Sequence, residues 1–451
     1  PGVQVLVLGW NIAIGGEAVD LGTVVEAIRR SCAEIAVLQE CEGNAPRIAA
    51  LLGWAHVDER HQIISRWPIV EPHDAEGRYV LVHLAPDRVI AVADVHLPSD
   101  PYGPYELRAG AGVAHVVELE REVRLRALAP SLDRWRVLIA AGVPLVVTGD
   151  FNTPSHRDWG PGSSGHRTAD VPWPVSVAME ASGLVDLYRS AEPARPGITW
   201  THGFPHPRRD ADELLDRIDL LWGGPGVRVI DCTLLGPSGV PDVGVAVDPW
   251  PSDHLGVVAT VELEPVPPPP YVAVTGGRRA QLGDTIPVRW SSPRATSSDR
   301  LALVPSGRPL EHAVGVLGLR ETGPTGLVRF GTGGLSSGPY DVVLVSEGDD
   351  VGRVTVHLVE PGALPRVDAT RDGSDLEVVW YDAPGRKFDW IGVHRLGDAD
   401  LEHGLLAQVH TGASVTGRHR FRDVGDGPFT VRLFHDDSFA VAATVDVPAT
   451  V

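Results

Sequence analysis

Cysteine, lysine and methionine are all scarce in this sequence. Three cysteines, Cys32, Cys41 and Cys232, are scattered through 451 residues. An odd number at that spacing builds neither a disulfide framework nor a zinc site, and three buried thiols are expected. Lys387 is the one lysine among 39 basic residues, set against 59 acidic ones for a formal charge of -20. That balance argues against affinity built on a broad basic patch and leaves room for a local phosphate site. The single methionine, Met179, is internal, so residues ahead of Pro1 are expected to have been removed. The longest apolar run, Val137 to Val147, is interrupted by Gly142 and Pro144. It falls well short of the roughly 20 residues a bilayer-spanning helix requires.

Hydrophobic residues make up 43% and charged residues 22%, the balance of a chain able to bury real cores. The length predicts two to four folding units. From Pro1 to about Glu264, short β-branched runs alternate with helical stretches, the pattern of a layered α/β domain. Strands are expected at Val3 to Leu8, Ile35 to Leu38, Ile63-Ile64, Tyr79 to Val82, Val89 to Val95, Leu145 to Val147 and Ile218 to Leu221, and a long helix from Glu106 to Leu128. The stretch Glu264-Pro265-Val266-Pro267-Pro268-Pro269-Pro270 favours extended polyproline geometry outside a sheet ladder and marks a boundary. Beyond it a repeat emerges. Trp290 and Trp380 are 90 residues apart, as are Asp299 and Asp389, and Gly338-Pro339-Tyr340 recurs 89 residues later as Gly427-Pro428-Phe429. Period-two alternation within each copy predicts two β-sandwiches. The expected division is 1–264, a linker at 265–270, and modules at 271–360 and 361–451.

The informative polar residues of the first 264 positions fall at the ends of apolar strands, where a rigid scaffold can aim them at one edge. In chain order they are Trp10-Asn11, Gln39-Glu40, His96 within Asp94-Val95-His96-Leu97, and Asp150 and Asn152 within Gly149-Asp150-Phe151-Asn152. Asp219 within Arg217-Ile218-Asp219 and Ser252-Asp253-His254 complete the set. Carboxylates and amides are hard oxygen donors suited to Mg2+ or Mn2+, and two histidines without clustered cysteines make a poor zinc site.

These six segments, in this order and spacing, resemble the endonuclease/exonuclease/phosphatase superfamily, which shares its fold with DNase I, sphingomyelinases and inositol polyphosphate 5-phosphatases. Ser65-Arg66-Trp67-Pro68-Ile69 and Thr199-Trp200 match supporting segments. The resemblance implies a DNase I-like two-sheet α/β sandwich flanked by helices. Downstream, Phe388-Asp389-Trp390-Ile391-Gly392-Val393 resembles the DWIG segment of immunoglobulin-like modules in SKICH-type proteins and purple acid phosphatases, implying two all-β immunoglobulin-like domains.

Position by position, the resemblance implies that Glu40 binds a Mg2+ or Mn2+ ion, with Asn11 and Asp253 as further ligands or water-mediated partners. Asp150 is expected to orient or deprotonate the attacking water, Asn152 to hold a phosphoryl oxygen, His254 to contact the phosphate or move a proton, and Asp219 to orient His96. Histidine at 96, where abasic-site endonucleases of the superfamily usually carry tyrosine, argues against abasic-site repair. The chain lacks the 5-phosphatase pattern of Trp before Gly-Asp and Asn-Tyr-Arg after it, so inositol phosphates are not favoured. The expected activity is a metal-dependent phosphoesterase, a phosphodiesterase first, with a small-molecule phosphate ester, a lipid headgroup or nucleic acid as substrate. A phosphomonoesterase, a DNase-type nuclease and a binding or adhesion protein on a degenerate nuclease fold are the alternatives. The C-terminal modules are expected to bind a target surface, and a secreted or cell-surface bacterial location is favoured.

Isolated histidines are more often packed or solvated than ligating, so His61, His73, His83, His156, His166, His202 and His206 are set aside. His61, His156 and His202 nevertheless lie near expected active-edge loops. Tyr102-Gly103-Pro104-Tyr105 reads equally as a substrate wall or a packed turn, and Trp159, Trp173 and Trp250 share that ambiguity. The run Arg209 to Glu213 reads as a solvated loop or a helix start.

Overall fold

The computed structural model describes residues 2–159, 169–200, 214–275, 277–292, 298–319, 325–401, 404–436 and 438–449. His166, His202, His206 and the run 209–213 lie outside them. The chain divides into two compact units.

The first unit comprises Pro1–Asp58, Gln62–Ile69 and Arg78–Pro267. Runs such as Ile35–Gln39 and Leu145–Asp150 are buried throughout, as strands covered on both faces must be. Two sheets result. The seven-stranded sheet runs, in spatial order, Val243–Ala246, Arg228–Gly236, Gly256–Leu263, Val3–Asn11, Ile35–Gln39, Ile63–Ser65 and His56–Asp58. The six-stranded sheet runs Ile69–Val70, Val80–Ala85, Arg88–His96, Leu145–Asp150, Asp219–Gly223 and Val185–Asp186. Val5, Val7, Ile35 and Val37 from one sheet share a core with Val80, Val82, Ile90, Val92 and Val146 from the other, giving the DNase I-like sandwich. Helix Leu21–Ser31, capped by Asp20, adds Val24, Val25 and Ile28 to this core.

Register decides where the polar strand ends meet. Val3–Asn11 pairs in parallel with Ile35–Gln39, setting Asn11 opposite Gln39. Arg88–His96 pairs in parallel with Leu145–Asp150, setting His96 opposite Asp150. The antiparallel partner then sets Asp219 opposite Asp150. Three functional candidates thus occupy one level across three neighbouring strands.

Several expectations are corrected here. The helix expected over Glu106 to Leu128 is interrupted, because Gly110 adopts φ 100 and ends Gly103–Arg108 before Val113–Glu120 begins. After a π turn at Arg121–Leu125 the helix runs on to Ala140. Val266, inside the proline-rich stretch, keeps an N–H and uses it: it exchanges two backbone hydrogen bonds with Val89, at 2.7 and 3.1 Å. Cys32 is exposed, since it caps helix Leu21–Ser31 in the left-handed conformation at the surface, while Cys41 and Cys232 are buried.

The second unit comprises Glu59–His61, Val70–Gly77 and Pro268–Val451. It is all strand in its C-terminal stretch among the described residues, apart from one short 3-10 turn. A three-stranded and a five-stranded sheet enclose Val272, Val288, Trp290, Leu303, Val342 and Val356. A three-stranded and a four-stranded sheet enclose Leu376, Val378, Trp380, Ile391, Val431 and Leu433. The repeat maps onto equivalent places. Trp290 lies opposite Gly326 and Trp380 opposite Gly417 in their ladders, and a Cβ on either glycine would come within 2.8 or 2.3 Å of the indole.

Candidate active site

Asp150 lies at the centre of the cluster, 1% exposed. The residue before it is Gly149, at φ 146, and a Cβ there would lie 2.0 Å from the Val95 carbonyl oxygen. Only glycine lets the Asp150 strand approach the His96 strand this closely. After Asp150 the chain turns sharply: Asn152 adopts φ 49 and its N–H donates to Asp150 Oδ1 at 2.9 Å. Asn152 Nδ2 donates to the Leu97 carbonyl at 3.0 Å, binding the turn to the segment that follows His96.

The opposite sheet contributes Asn11 and Glu40. Asn11 Nδ2 bridges two acids, donating to Glu40 Oε1 at 2.8 Å and Asp150 Oδ2 at 3.1 Å. Its Oδ1 accepts the Ala13 N–H at 3.0 Å, an assignment that fixes the orientation of the amide. In this structure Asn11 clamps the two acids together, its amide within reach of both Glu40 and Asp150. Glu40 keeps its side chain 31% exposed and adopts φ 55; the following Cys41 N–H is held by Gln62 Oε1 at 2.9 Å.

Both histidines point at Asp150 Oδ2, each with its Nε2 3.7 Å away. His96 Nε2 also lies 4.0 Å from Glu40 Oε1. Asp219 makes a different connection from the one expected: its Oδ2 lies 2.9 Å from His254 Nδ1, so the residue it orients is His254. The cause is topological, since Trp200 bridges His254 while Thr199 Oγ1 accepts the Asp219 N–H at 3.0 Å. Ser252 Oγ donates to the Asn11 carbonyl at 2.7 Å and accepts the His254 N–H at 3.0 Å, tying the last segment to the first. Trp10 and Trp250, stacked at 4.7 Å, both donate to the His254 carbonyl. Trp250 is therefore structural. Asp253 is half-buried and acts on His254 through its charge.

Burial pushes the Asp150 carboxyl up to about 6; the two histidines oppose the shift and Asp219 adds to it. Burial would lower His254, but Asp219 and then Asp150 outweigh it and hold the imidazole well above its ordinary value. Asp150, Asp219 and His254 offer atoms within 4.8 Å of one another, so two acids and an imidazole share one small buried volume.

The sequence profile of the Endonuclease/Exonuclease/phosphatase family matches residues 8–254. The chain belongs to this family. It is 28% identical over 261 residues to the uncharacterized protein F14F9.5 of Caenorhabditis elegans, covering 50% of this chain and 80% of that protein. Among solved structures it is similar to an endonuclease/exonuclease/phosphatase from Beutenbergia cavernae DSM 12333, with 20% identity and a TM-score of 0.40 over 79% of this chain and all of that one. It is also similar to the mannosyl-6-phosphatase Bt3783 of Bacteroides thetaiotaomicron VPI-5482, with 14% identity and a TM-score of 0.34 over 57% of this chain and 99% of that one. Members of the family are generally phosphoester hydrolases.

Asp94 was not among the candidates that the sequence singled out. Asp94 is buried and accepts Gln39 Nε2 at 2.8 Å, joining the two sheets beneath His96; period two, which puts it on the face of His96, was the available signal. Tyr102 proves buried, its hydroxyl donating to Asp216 Oδ2 at 2.9 Å, with Trp159 Nε1 on Oδ1 at 3.2 Å. His156 is engaged by Ser176 and Glu180, at 2.9 and 3.3 Å, and His61 is fully buried.

Proposed function

We propose that the protein is a divalent-metal-dependent phosphoesterase, and a phosphodiesterase in the first instance. The observation that carries this reading is the convergence of both histidines and the Asn11 amide on one buried carboxylate, Asp150, at the level where two sheets present Glu40 and Asp219. Phosphoryl transfer needs an aligned nucleophile and donors placed where charge develops, and such a constellation supplies both.

The residues fit a hard cation. Asp219 Oδ1 is buried without a hydrogen-bond partner, and the Asp150 carboxyl is raised by burial, the mark of a site whose negative charge is undercompensated. Glu40, which shares the Asn11 amide with Asp150, and Asp253, whose charge acts on His254, are the residues we assign to Mg2+ or Mn2+. Bound there, the ion would neutralise non-bridging phosphoryl oxygens and favour a hydroxide nucleophile. Asp150 orients the attacking water and accepts its proton. Asn152 holds a phosphoryl oxygen with the amide hydrogen that Leu97 leaves over. His254, kept cationic by Asp219, donates from Nε2 to the phosphate or to the departing oxygen as the P–O bond breaks. His96 completes the donor set opposite Asp150.

The two C-terminal sandwiches we read as immunoglobulin-like modules on the strength of the Asp389-Trp390-Ile391-Gly392 segment. Their role in this reading is support or placement on a target, with the chemistry confined to the segments ending at His254. A panel of bis-p-nitrophenyl phosphate against p-nitrophenyl phosphate, each with Mg2+ and Mn2+, tests the assignment. Faster diester turnover is expected; monoester preference would favour the phosphomonoesterase reading, and no turnover of either would favour a binding protein.

A further inference from the structure

Behind the loop that follows His96 lies an ion pair with no solvent exposure. Glu120 and Arg124 are one turn apart, at the junction of helix Val113–Glu120 with the π turn Arg121–Leu125, with 2.7 Å between Arg124 Nη1 and Glu120 Oε1. A buried pair is weak support for stability, because desolvating two charges offsets most of their attraction. π turns recur at functional sites, and three backbone groups of one loop bond to this pair, whose guanidinium also lies 5.9 Å from the Tyr102 ring. Arg124 Nη2 donates to the Ser99 carbonyl at 2.6 Å and Nη1 to the Pro101 carbonyl at 2.8 Å. Glu120 Oε1 accepts the Gly103 N–H at 3.2 Å.

That loop is tied to the active site at two points. Leu97, immediately after His96, donates its N–H to the Asp150 carbonyl at 3.1 Å and accepts Asn152 Nδ2 at 3.0 Å. Tyr102 donates to Asp216. The Asp216 carbonyl in turn accepts the N–H groups of Thr199 and Trp200, at 3.2 and 3.1 Å, and Thr199 Oγ1 accepts the Asp219 N–H.

We propose that the Glu120–Arg124 pair is a positioning element of the active site: it sets the 97–103 loop so that His96 and Asn152 on one side, and the Asp219–His254 couple on the other, keep their reactive geometry. The proposal rests on the phosphoesterase reading. Neither residue touches the reacting atoms. Without the guanidinium, the Ser99 and Pro101 carbonyls lose their charged donor and the loop relaxes, and a displacement of about 1 Å can cost roughly 10²-fold in rate.

The test uses the full chain with Arg124→Met, Arg124→Lys and Glu120→Gln. Turnover of bis-p-nitrophenyl phosphate with Mn2+ is measured alongside circular dichroism and the side-chain nitrogen resonances of His96 and His254 in metal-free protein. In folded Arg124→Met, kcat is expected to fall about 10²-fold, with KM little changed and both imidazole signals displaced. Arg124→Lys, a point charge without the planar fork, should fall between this variant and the parent. Should Arg124→Met fail to fold, the Lys and Gln variants carry the comparison. Folded variants with parental kcat and unmoved imidazole signals would overturn the proposal. If the parent protein turns over no phosphate ester at all, the phosphoesterase reading fails, and the imidazole signals alone decide whether the pair positions the histidines.

Discussion

Asp150 and His254 share one environment but answer it differently: burial raises the acid, and two acids raise the imidazole against burial. Each is assigned a proton-handling role, so Asp150→Ala and His254→Ala should each lower kcat by at least about 10²-fold while circular dichroism shows the fold retained. Near-parental turnover in either folded variant would remove its assigned role. Gly149→Ala meets a steric limit instead, since its Cβ would lie 2.0 Å from the Val95 oxygen. Overpacking of this kind costs about 1–3 kcal/mol, and both the unfolding midpoint and turnover should drop. At this scale the sequence announces residue types and strand ends. It could not announce partners: Asp219 goes to His254 because the Trp200 bridge carries the Ser252-Asp253-His254 segment to it, a register that no local spacing encodes. The Glu120–Arg124 pair was hidden for the opposite reason: an i,i+4 Glu–Arg spacing on a helix looks the same whether the pair is solvated or, as here, fully buried.

Strands were legible as elements because buried β-branched runs leave few alternatives, whereas the helix expected from Glu106 to Leu128 concealed the break at Gly110. The repeat was legible through its tryptophans but not through the glycines that face them. Gly326→Val and Gly417→Val should therefore each destabilise their own sandwich by about 1–3 kcal/mol, read as a lowered urea midpoint; a neutral result at one site would deny that the two copies pack alike. Buried Asp389 accepts the N–H groups of Arg386 and Asp436 at 3.0 and 3.1 Å, as Asp299 accepts the N–H of Glu347 at 3.3 Å. Burial pushes the Asp389 carboxyl up to about 6, against those hydrogen bonds. Between the unfolded value near 4 and about 6, the folded state keeps a proton that the unfolded chain has lost, so stability falls as pH rises through that window, by up to about 3 kcal/mol. Asp389→Asn should flatten that part of the profile, and an unchanged slope between pH 4 and 6 would contradict the assignment.

On the scale of the whole molecule, the second unit draws on more than the C-terminal sequence. Arg60 and Glu71, 3.0 Å apart, and Arg278, 3.3 Å from Glu71, form one largely buried charged group. The Lys387 N–H donates to the Arg60 carbonyl at 3.0 Å, and Arg386 reaches Glu59 at 3.2 Å. Removing 268–451 takes Arg278 from Glu71, the Lys387 N–H from Arg60 and Arg386 from Glu59, so limited proteolysis should cut first within 59–61 or 70–77 in the truncated protein and spare both in the full chain. Equal protection would show that these segments hold their structure unaided. The most direct test of the account is turnover of bis-p-nitrophenyl phosphate by the full chain after exhaustive chelation, before and after Mg2+ or Mn2+ is restored, with Asp150→Ala measured in parallel. The account predicts loss on chelation, recovery with the ion, and little recovery in the variant; full turnover without metal, or none with it, would contradict the central claim.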